Sequence, residues 1–222
     1  MEYPKIVSRE EWLLARQELL IKEKTVTRAH DQVNAQRRRL PMVKVEKEYV
    51  FEGSDGKASL LDLFDGRRQL IIYHFMFDPS WDEGCESCSF LIDNVGHLAH
   101  LHARDTSLAV ISRAPLVKSE PFKRRMNWTV PWFSSYGSDF NYDFHFTTDE
   151  GENGGVSVFL RDGETIFHTY STTDRGNDVL HGTYNYLDLT PLGRQEFWEE
   201  PPGRSNSPAM RWLRLHDSYD EL

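Results

Sequence analysis

Two cysteines, Cys85 and Cys88, are the only cysteines in a chain of 222 residues, and they stand three positions apart. A Cys-x-x-Cys pair is typical of a redox dithiol or of half a metal site. A third interpretation is two inert thiols in a core. A redox dithiol works by exchange, in which one thiolate attacks a disulfide and the second thiol resolves the mixed disulfide. That chemistry requires one sulfur to ionise below the usual pKa of about 8.5.

The elements around the cysteines predict where the pair sits. Gln69–Phe77 is a short, nearly continuous apolar run, and Ser107–Ser112 is a second one. Such runs indicate central strands that are buried on both faces. Between them, from Cys88 to Arg104, apolar residues recur at helical spacing. The order strand, Cys-x-x-Cys, helix, strand predicts a βαβ unit with the dithiol at the helix N-terminus.

A helix N-terminus favours an anion, because its first N–H groups are unpaired and carry partial positive charge. We therefore expect Cys85 to be the attacking thiol and Cys88 the resolving thiol. Asp82, Glu83 and Glu86 oppose ionisation, since nearby negative charge raises the pKa of a thiol. The local sequence thus predicts a modestly activated Cys85 and a reducing couple.

Other polar residues carry weaker predictions. A structural zinc site usually has four ligands, and the chain has no second Cys-x-x-Cys. His97 and His100 fit the exposed face of the predicted helix, and His74 fits a satisfied core histidine inside a strand. We therefore expect no metal and no cofactor. Arg113 follows a strand end, where it either pairs with an acid or meets an anionic substrate.

Charge and hydropathy limit the partners. Residues 1–45 hold ten Lys/Arg and six Asp/Glu, which gives them a net charge of +4. Because the whole chain has a net charge of −9, residues 46–222 carry −13. A body this acidic repels nucleic acid, so we expect no nucleic-acid partner. No apolar run reaches about 18 residues, and no basic start precedes an apolar segment, so we expect no membrane span or secretory signal. These features predict a cytoplasmic protein, where structural disulfides are disfavoured.

The chain divides by pattern into three parts. Residues 1–45 form an amphipathic helical arm, which begins at a capping box of Ser8 and Glu11 and runs toward Arg39. Its apolar face packs either on its own domain or on a second copy, which would make a homodimer through the arm. Residues 46–198 form the main domain. Residues 199–222 form a loop with a short helix at Ala209–Leu215.

The main domain contains further predicted elements. A hairpin is expected at Val156–Leu160 and Thr165–Tyr170, because a turn at Arg161–Glu164 separates two alternating runs. Helices are expected at Lys118–Met126 and Val179–Leu187. The aromatic and polar segment Ser134–Phe144 is either a binding loop or a surface loop held by its own aromatic residues.

This order of elements resembles the thioredoxin-like fold. More narrowly, the chain resembles an uncharacterised, largely bacterial thioredoxin-like family that is catalogued as a domain of unknown function. The resemblance rests on Trp81–Phe90, Ser112–Leu116, Pro131–Asn141, Phe167–Thr172 and Gly182–Asp188. It implies an α/β fold, with a thioredoxin-like central mixed sheet flanked by helices and an N-terminal helical arm. It also implies a candidate dithiol at Cys85 and Cys88.

The chain departs from its relatives in the wider fold at three places. Thioredoxins place Trp directly before the first Cys, whereas Trp81 stands four residues before Cys85. They place a cis-proline before the final hairpin, facing the dithiol, and that position falls near Val156, where no proline is close. Pro131 would replace it only if its segment runs past the cysteines. The peroxidatic pattern Pro-x-x-x-Thr/Ser-x-x-Cys is absent, since Pro79 stands six residues before Cys85.

The sequence therefore predicts a thiol–disulfide oxidoreductase, with Trp81 shielding one side of the site. Its expected substrate is a small thiol or the disulfide of one partner protein, rather than proteins in general. The alternative is a thioredoxin-fold binding or scaffold protein whose cysteines have no redox role. Exposure of Cys85 and the ability of the pair to close a ring discriminate between the two.

Overall fold

Two apolar strands, Gln69–His74 and Thr106–Ser112, lie parallel at the centre of the sheet. The computed structural model describes residues 3–219. Within that part of the chain there are ten strands: β1 Val43–Lys44, β2 Val50–Gly53, β3 Gly56–Ser59, β4 Gln69–His74, β5 Thr106–Ser112, β6 Trp132–Ser134, β7 Thr147–Thr148, β8 Gly151–Glu152, β9 Gly155–Asp162 and β10 Thr165–Thr173. Eight of them form one sheet in the order β1-β10-β9-β4-β5-β6-β2-β3.

The sheet is mixed. Strands β4, β5 and β6 run parallel to one another, whereas β9 is antiparallel to β4 and forms the predicted hairpin with β10. Strands β7 and β8 form a separate two-stranded ladder. The parallel pair β4–β5 and the hairpin β9–β10 together give the thioredoxin-like arrangement that the sequence predicted.

Helices flank this sheet. They are α1 Arg9–Arg37, α2 Glu86–Asp93, α3 Ala99–His102, α4 Leu116–Arg125, α5 Phe140–Asp143 and α6 Gly182–Leu187, with 3-10 segments at Asp62–Phe64 and Asp174–Leu180. Helices α2 and α3 connect β4 to β5, which is the expected βαβ unit. No helix in residues 3–219 combines the length and the apolar character needed to cross a membrane.

The alternation of side chains along β4 and β5 divides the core into two layers. Tyr73 and Val110 face the layer that contains Cys88 and the inner sides of α2 and α4. Ile72 and Ile111 face the opposite layer, which is rich in phenylalanine. Both faces of the central strands are thus buried, which explains their continuous apolar sequence.

Helix α1 begins at the predicted capping box, in which the Glu11 N–H donates to Ser8 Oγ and the Ser8 N–H donates to Glu11 Oε2. It ends two residues before the predicted limit. None of its 29 residues is buried. At its end, the Arg37 guanidinium lies 4.7 Å from the centre of the Tyr170 ring. The arm therefore does not pack its apolar residues on its own domain, which was one of the two expectations.

Two predicted helices differ from the structure. The helix expected from Cys88 to Arg104 is interrupted between α2 and α3. Asn94 ends α2, because its side chain donates to the Phe90 carbonyl (2.7 Å) and accepts the Thr183 N–H (2.7 Å). Gly96 follows in the break and has low helix propensity. Tertiary bonds of Asn94 thus override the local periodicity.

The C-terminal helix expected at Ala209–Leu215 is wrong. This segment forms turns, and Met210 adopts a left-handed backbone conformation with φ of 61°. Its N–H donates to the buried Glu196 carboxylate, and Trp212 Nε1 donates to the same group at 3.0 Å. These bonds, together with burial of Leu213, hold the segment against the domain without a helix.

Candidate active site

The dithiol lies at the N-terminus of α2, as the sequence predicted. Cys85 is the N-cap residue and Cys88 lies within the first turn. The Cys85 N–H donates to the Met76 carbonyl (3.1 Å), and the Cys85 carbonyl accepts the Ser89 N–H (2.9 Å). The chain that leaves β4 is therefore joined to the first turn of the helix, and this join positions both sulfurs.

The two thiols differ in exposure. Cys88 is buried, at 1% exposure, whereas Cys85 is partly exposed, and neither forms a disulfide. Cys85 Sγ lies 3.1 Å from Ser87 Oγ. The Met76 N–H donates to Cys88 Sγ at 3.4 Å. Cys85 is therefore partly exposed to solvent as a residue, while Cys88 is enclosed.

They also differ in acidity. A hydrogen bond from the Cys88 thiol lowers the pKa of Cys85 to about 6, with help from Ser87 and against the effect of burial. Burial raises the pKa of Cys88 well above its usual value. Hydrogen bonding to an anion lowers a pKa and desolvation raises it, so the pair exists as one thiolate and one thiol near neutral pH.

Basic residues of α4 hold the loop before Cys85. Lys118 Nζ donates to the Pro79 and Trp81 carbonyls, each at 2.8 Å. Arg125 forms an ion pair with Glu83. The sequence near Cys85 contains only acidic charges, because these cations come from a helix more than 30 residues further along the chain.

Gly154 is a site residue that sequence reasoning missed. A Cβ atom at this position would lie 3.1 Å from Cys88 Sγ and 3.4 Å from the Tyr73 hydroxyl. The segment before β9 therefore passes beside the dithiol, where thioredoxins place their cis-proline. Pro131 does not take that place. Its carbonyl accepts the Val110 N–H inside the sheet, and the strand that follows it lies two strands from β4.

A partly buried ion cluster joins the two segments beside the cysteines. Arg113 Nη1 lies 2.6 Å from Glu152 Oε1 and 3.3 Å from Asp78 Oδ2. The Glu152 side chain is only 2% exposed, and burial raises its pKa against the opposing effect of Arg113. Arg113 also lies over the Tyr142 ring at 5.0 Å. The predicted pairing of Arg113 with an acid is confirmed, and this pairing connects the loop after β4 to the segment before Gly154.

A cleft of about 580 Å³ opens beside the dithiol. Ser87, Cys88 and Gly154 line this cleft together with residues of the segment 173–184, whereas Cys85 is not among its lining residues. Trp81 does not line this cleft and is 39% exposed, so its predicted shielding role is not seen. Tyr73, Met76 and Leu91 supply the apolar lining instead.

The histidines named by sequence lie away from the cysteines or in the core. His74 is fully buried, stacks on Phe146 at 3.6 Å and bonds to Ser157 Oγ through Nε2 at 3.0 Å. Burial lowers its pKa to about 3, so the ring is neutral. His97 and His100 lie 6.5 Å apart on the surface. In residues 3–219 no group of three or more His, Cys, Asp or Glu is arranged to hold a metal ion.

The aromatic segment Ser134–Phe144 is held by its own residues. Phe140 is fully buried, and Phe144 packs against the same layer of the core. Lys47 Nζ binds Asp139 and Asp143, at 2.8 and 2.7 Å. Of the two interpretations left open by the sequence, the contacts favour a fixed surface loop.

The mixed sheet and its flanking helices define a protein of the thioredoxin-like class. The chain belongs to a family described as bacterial proteins of unknown function (DUF899), which matches residues 1–219. A comparison with curated proteins gives no match.

Several solved structures of peroxiredoxins are similar in backbone arrangement. A PrxQ mutant from Xylella fastidiosa is 12% identical, with a TM-score of 0.44, and the match covers 62% of this chain and 89% of that one. Peroxidoxin BcpB from Mycobacterium tuberculosis is 14% identical, with a TM-score of 0.47, over 67% and 97% of the two chains. A reduced 2-Cys peroxiredoxin from Plasmodium vivax is 15% identical, with a TM-score of 0.44, over 64% and 89%.

Proposed function

We propose that this protein is a thiol–disulfide oxidoreductase in which Cys85 attacks and Cys88 resolves. The observation that carries the proposal is the asymmetry of the pair. Cys85 is partly exposed and its pKa is lowered to about 6, whereas Cys88 is buried and protonated. An inert pair in a scaffold requires neither the exposure nor the lowered pKa.

The steps balance without a cofactor. The Cys85 thiolate attacks one sulfur of a substrate disulfide, forms a mixed disulfide and releases one thiolate. The Cys88 thiol then loses its proton and attacks Cys85 Sγ, which forms the Cys85–Cys88 disulfide and releases the second substrate thiol. The two electrons that reduce the substrate come from the two cysteine sulfurs. Run in reverse, the same steps oxidise a substrate dithiol.

The reduction potential of the pair tests this function. The protein is equilibrated in graded dithiothreitol or glutathione buffers, quenched with a mass-tagged alkylating reagent and analysed by mass spectrometry. We expect one two-electron transition between about −300 and −120 mV, the range that spans structural disulfides to strong oxidants. A Cys88→Ala variant is the control, because it cannot close the ring. If both cysteines of the native chain stay as free thiols in every buffer, the redox function is wrong and the scaffold alternative is favoured.

We also propose that α1 binds the α1 of a second copy of this chain. Trp12, Leu19, Val26 and Val33 stand seven residues apart, and their exposed fractions range from 46 to 69%. A strict seven-residue repeat favours a left-handed helix pair. Helices in proteins are stabilised mainly by packing of their apolar face, so pairing would stabilise this helix, none of whose residues is buried.

Sedimentation equilibrium tests the pairing. We expect a dimer for the native chain and a monomer for Leu19→Glu, since a charge at the centre of the apolar repeat disrupts packing. The control is Gln17→Glu, which adds the same charge outside the repeat. A native chain that stays monomeric at about 100 μM would refute the proposal, because its free energy of dimerisation would then be weaker than about −5.5 kcal/mol.

A further inference from the structure

The resolving step places negative charge on a sulfur that is buried. Cys88 is 1% exposed, and burial raises the pKa of its thiol well above the usual value. In the reduced pair this thiol donates a hydrogen bond to the Cys85 thiolate. In a mixed disulfide Cys85 carries no charge, so Cys88 must ionise without that partner. The site therefore needs another group that stabilises a thiolate at Cys88.

The Tyr73 hydroxyl lies beside this sulfur. A Cβ atom on Gly154 would lie 3.1 Å from Cys88 Sγ and 3.4 Å from the Tyr73 hydroxyl oxygen, so both atoms surround one point. Tyr73 and Cys88 belong to the same layer of the core and line the same cleft. Each is a hydrogen-bond partner of the other. Because a thiolate has no proton, the tyrosine hydroxyl is the donor when Cys88 is ionised.

Tyr73 keeps its proton near neutral pH. It is only 4% exposed, and burial, together with the neighbouring Cys88 and Cys85, raises the pKa of its hydroxyl well above the usual value. A second donor reaches the same sulfur, since the Met76 N–H donates to Cys88 Sγ at 3.4 Å. Tyr73 lies in β4 and Met76 follows two residues after its end. Two donors held by one strand therefore converge on the sulfur where charge develops.

We propose that Tyr73 is a catalytic residue of the resolving step, in which its hydroxyl donates a hydrogen bond to the Cys88 sulfur and stabilises the thiolate formed there. The Cys88 proton passes to solvent in the cleft that Cys88 lines. The thiolate attacks Cys85 Sγ, the Cys85–Cys88 bond forms, and the electron pair of the broken bond leaves with the substrate thiolate. In the reverse direction the Cys88 thiolate is the leaving group, so the same hydrogen bond assists ring opening. This inference rests on the proposed oxidoreductase function and adds a residue to its reaction.

A rapid-quench experiment with 2-hydroxyethyl disulfide separates the two steps. The reduced full-length protein is mixed with an excess of the reagent, quenched with acid and analysed by mass spectrometry, which detects the mixed disulfide as an adduct. Formation of the adduct reports attack by Cys85, and its decay reports ring closure by Cys88. Ring opening is measured separately, by mixing the oxidised protein with dithiothreitol.

We expect Tyr73→Phe to slow the decay of the adduct by about three- to tenfold. Loss of a hydrogen bond to a charged group lowers the population of that charged form by about tenfold or more. Part of this loss is recovered, because a more basic thiolate is also a stronger nucleophile. Ring opening should slow by a similar factor. Adduct formation and the reduction potential should stay unchanged, because the hydrogen bond stabilises a charge that exists only while the ring closes or opens.

Two further variants complete the test. Tyr49→Phe is the matched control, because its hydroxyl donates to Asp143 Oδ2 at 2.8 Å in the opposite layer of the core, and both steps should keep their native rates. Replacement of Tyr73 by meta-fluorotyrosine keeps the ring and makes the hydroxyl a stronger donor, so ring closure should become faster. This variant tests the inference even if Tyr73→Phe does not fold.

Decay of the adduct at the native rate in Tyr73→Phe would overturn the inference while the oxidoreductase function stands. Equal slowing of adduct formation and adduct decay, or the same slowing in Tyr49→Phe, would also overturn it, since either result indicates a structural effect. Failure of the reagent to oxidise the native pair would instead refute the oxidoreductase function.

Discussion

The ion cluster of Arg113 with Glu152 and Asp78 predicts how the free energy of unfolding changes when its cation is removed. Replacement of Arg113 by Met keeps the length and the apolar part of the side chain but removes its charge. Glu152, whose side chain is only 2% exposed, then has no cationic partner. Removal of one partner from a fully buried ion pair costs about 3–5 kcal/mol, because the remaining charge stays desolvated. Arg113 is 21% exposed and Thr147 also donates to the Glu152 carboxylate, so we expect a loss at the lower end of that range.

The size of this loss should depend on pH. Without Arg113, the pKa of Glu152 in the folded variant rises further above its unfolded value of about 4.3. A raised folded pKa means that the folded state binds more protons than the unfolded state. The variant therefore loses stability as pH rises from the unfolded pKa of Glu152 to its folded pKa. If the folded pKa exceeds 7.5, the variant itself loses about 3 kcal/mol of stability between pH 5 and pH 7.5. The native chain, in which burial already raises the pKa of Glu152, loses part of this amount as well, so the difference between the two chains grows by less than about 3 kcal/mol.

Urea denaturation followed by tryptophan fluorescence at pH 5 and pH 7.5, with reductant present, measures both effects. The double variant Arg113→Met/Glu152→Gln removes the charge from both partners and should recover most of the loss at pH 7.5. Arg125→Met is a matched control, because its ion pairs are exposed and should contribute only about 0–1 kcal/mol. A loss for Arg113→Met that is independent of pH, or no larger than for Arg125→Met, would refute the reasoning.

Three further predictions concern the cysteines, the core histidine and the first residue of β9. Alkylation of Cys85 by iodoacetamide should reach half its maximal rate near pH 6. Cys88→Ala should move this midpoint toward the usual value of about 8.5, because the Cys88 hydrogen bond is the main cause of the lowered pKa. An unchanged midpoint would contradict this assignment. The lowered pKa of His74 should cost about 2 kcal/mol of stability between pH 7.5 and pH 5, because the unfolded chain binds a proton that the folded chain excludes. His74→Leu should lack this part of the acid sensitivity in urea titrations, and an identical pH profile would count against it. Gly155→Ala should lower the free energy of unfolding by about 2–3 kcal/mol, because the new Cβ would collide with a backbone carbonyl of β10. Gly96→Ala is the control: its Cβ would have open space, so it should leave the free energy of unfolding unchanged in the same assay.

The parts of the fold that were predicted correctly are those in which local pattern and tertiary burial agree. Strands β4 and β5 are apolar on both faces because both faces are covered, so their sequence reveals their position. The dithiol follows β4 and precedes a helix, and this order alone predicts its place at the helix N-terminus. The same holds for the hairpin of β9 and β10.

The parts that were missed depend on contacts between distant residues. Asn94 ends α2 through a bond to Thr183, and Glu196 holds Met210 and Trp212 in a turn. No periodicity in either segment records these bonds. Gly154 was missed for a similar reason, since its role follows from its distance to Cys88 and not from its neighbours in sequence.

The residues that line the cleft come from different parts of the chain. Ser87 and Cys88 come from helix α2 of the βαβ unit, whereas residues 173–184 come from the end of β10 and the segment that follows it. We therefore expect substitutions within residues 173–184 to change the lining of the cleft and to leave the pKa of Cys85 unchanged, because the hydrogen bonds that lower this pKa come from Cys88 and Ser87. Because the two parts of the cleft come from separate segments, libraries of variants restricted to residues 173–184 would vary the cleft while Cys85 and Cys88 stay unchanged. The protein is therefore a suitable starting point for engineering.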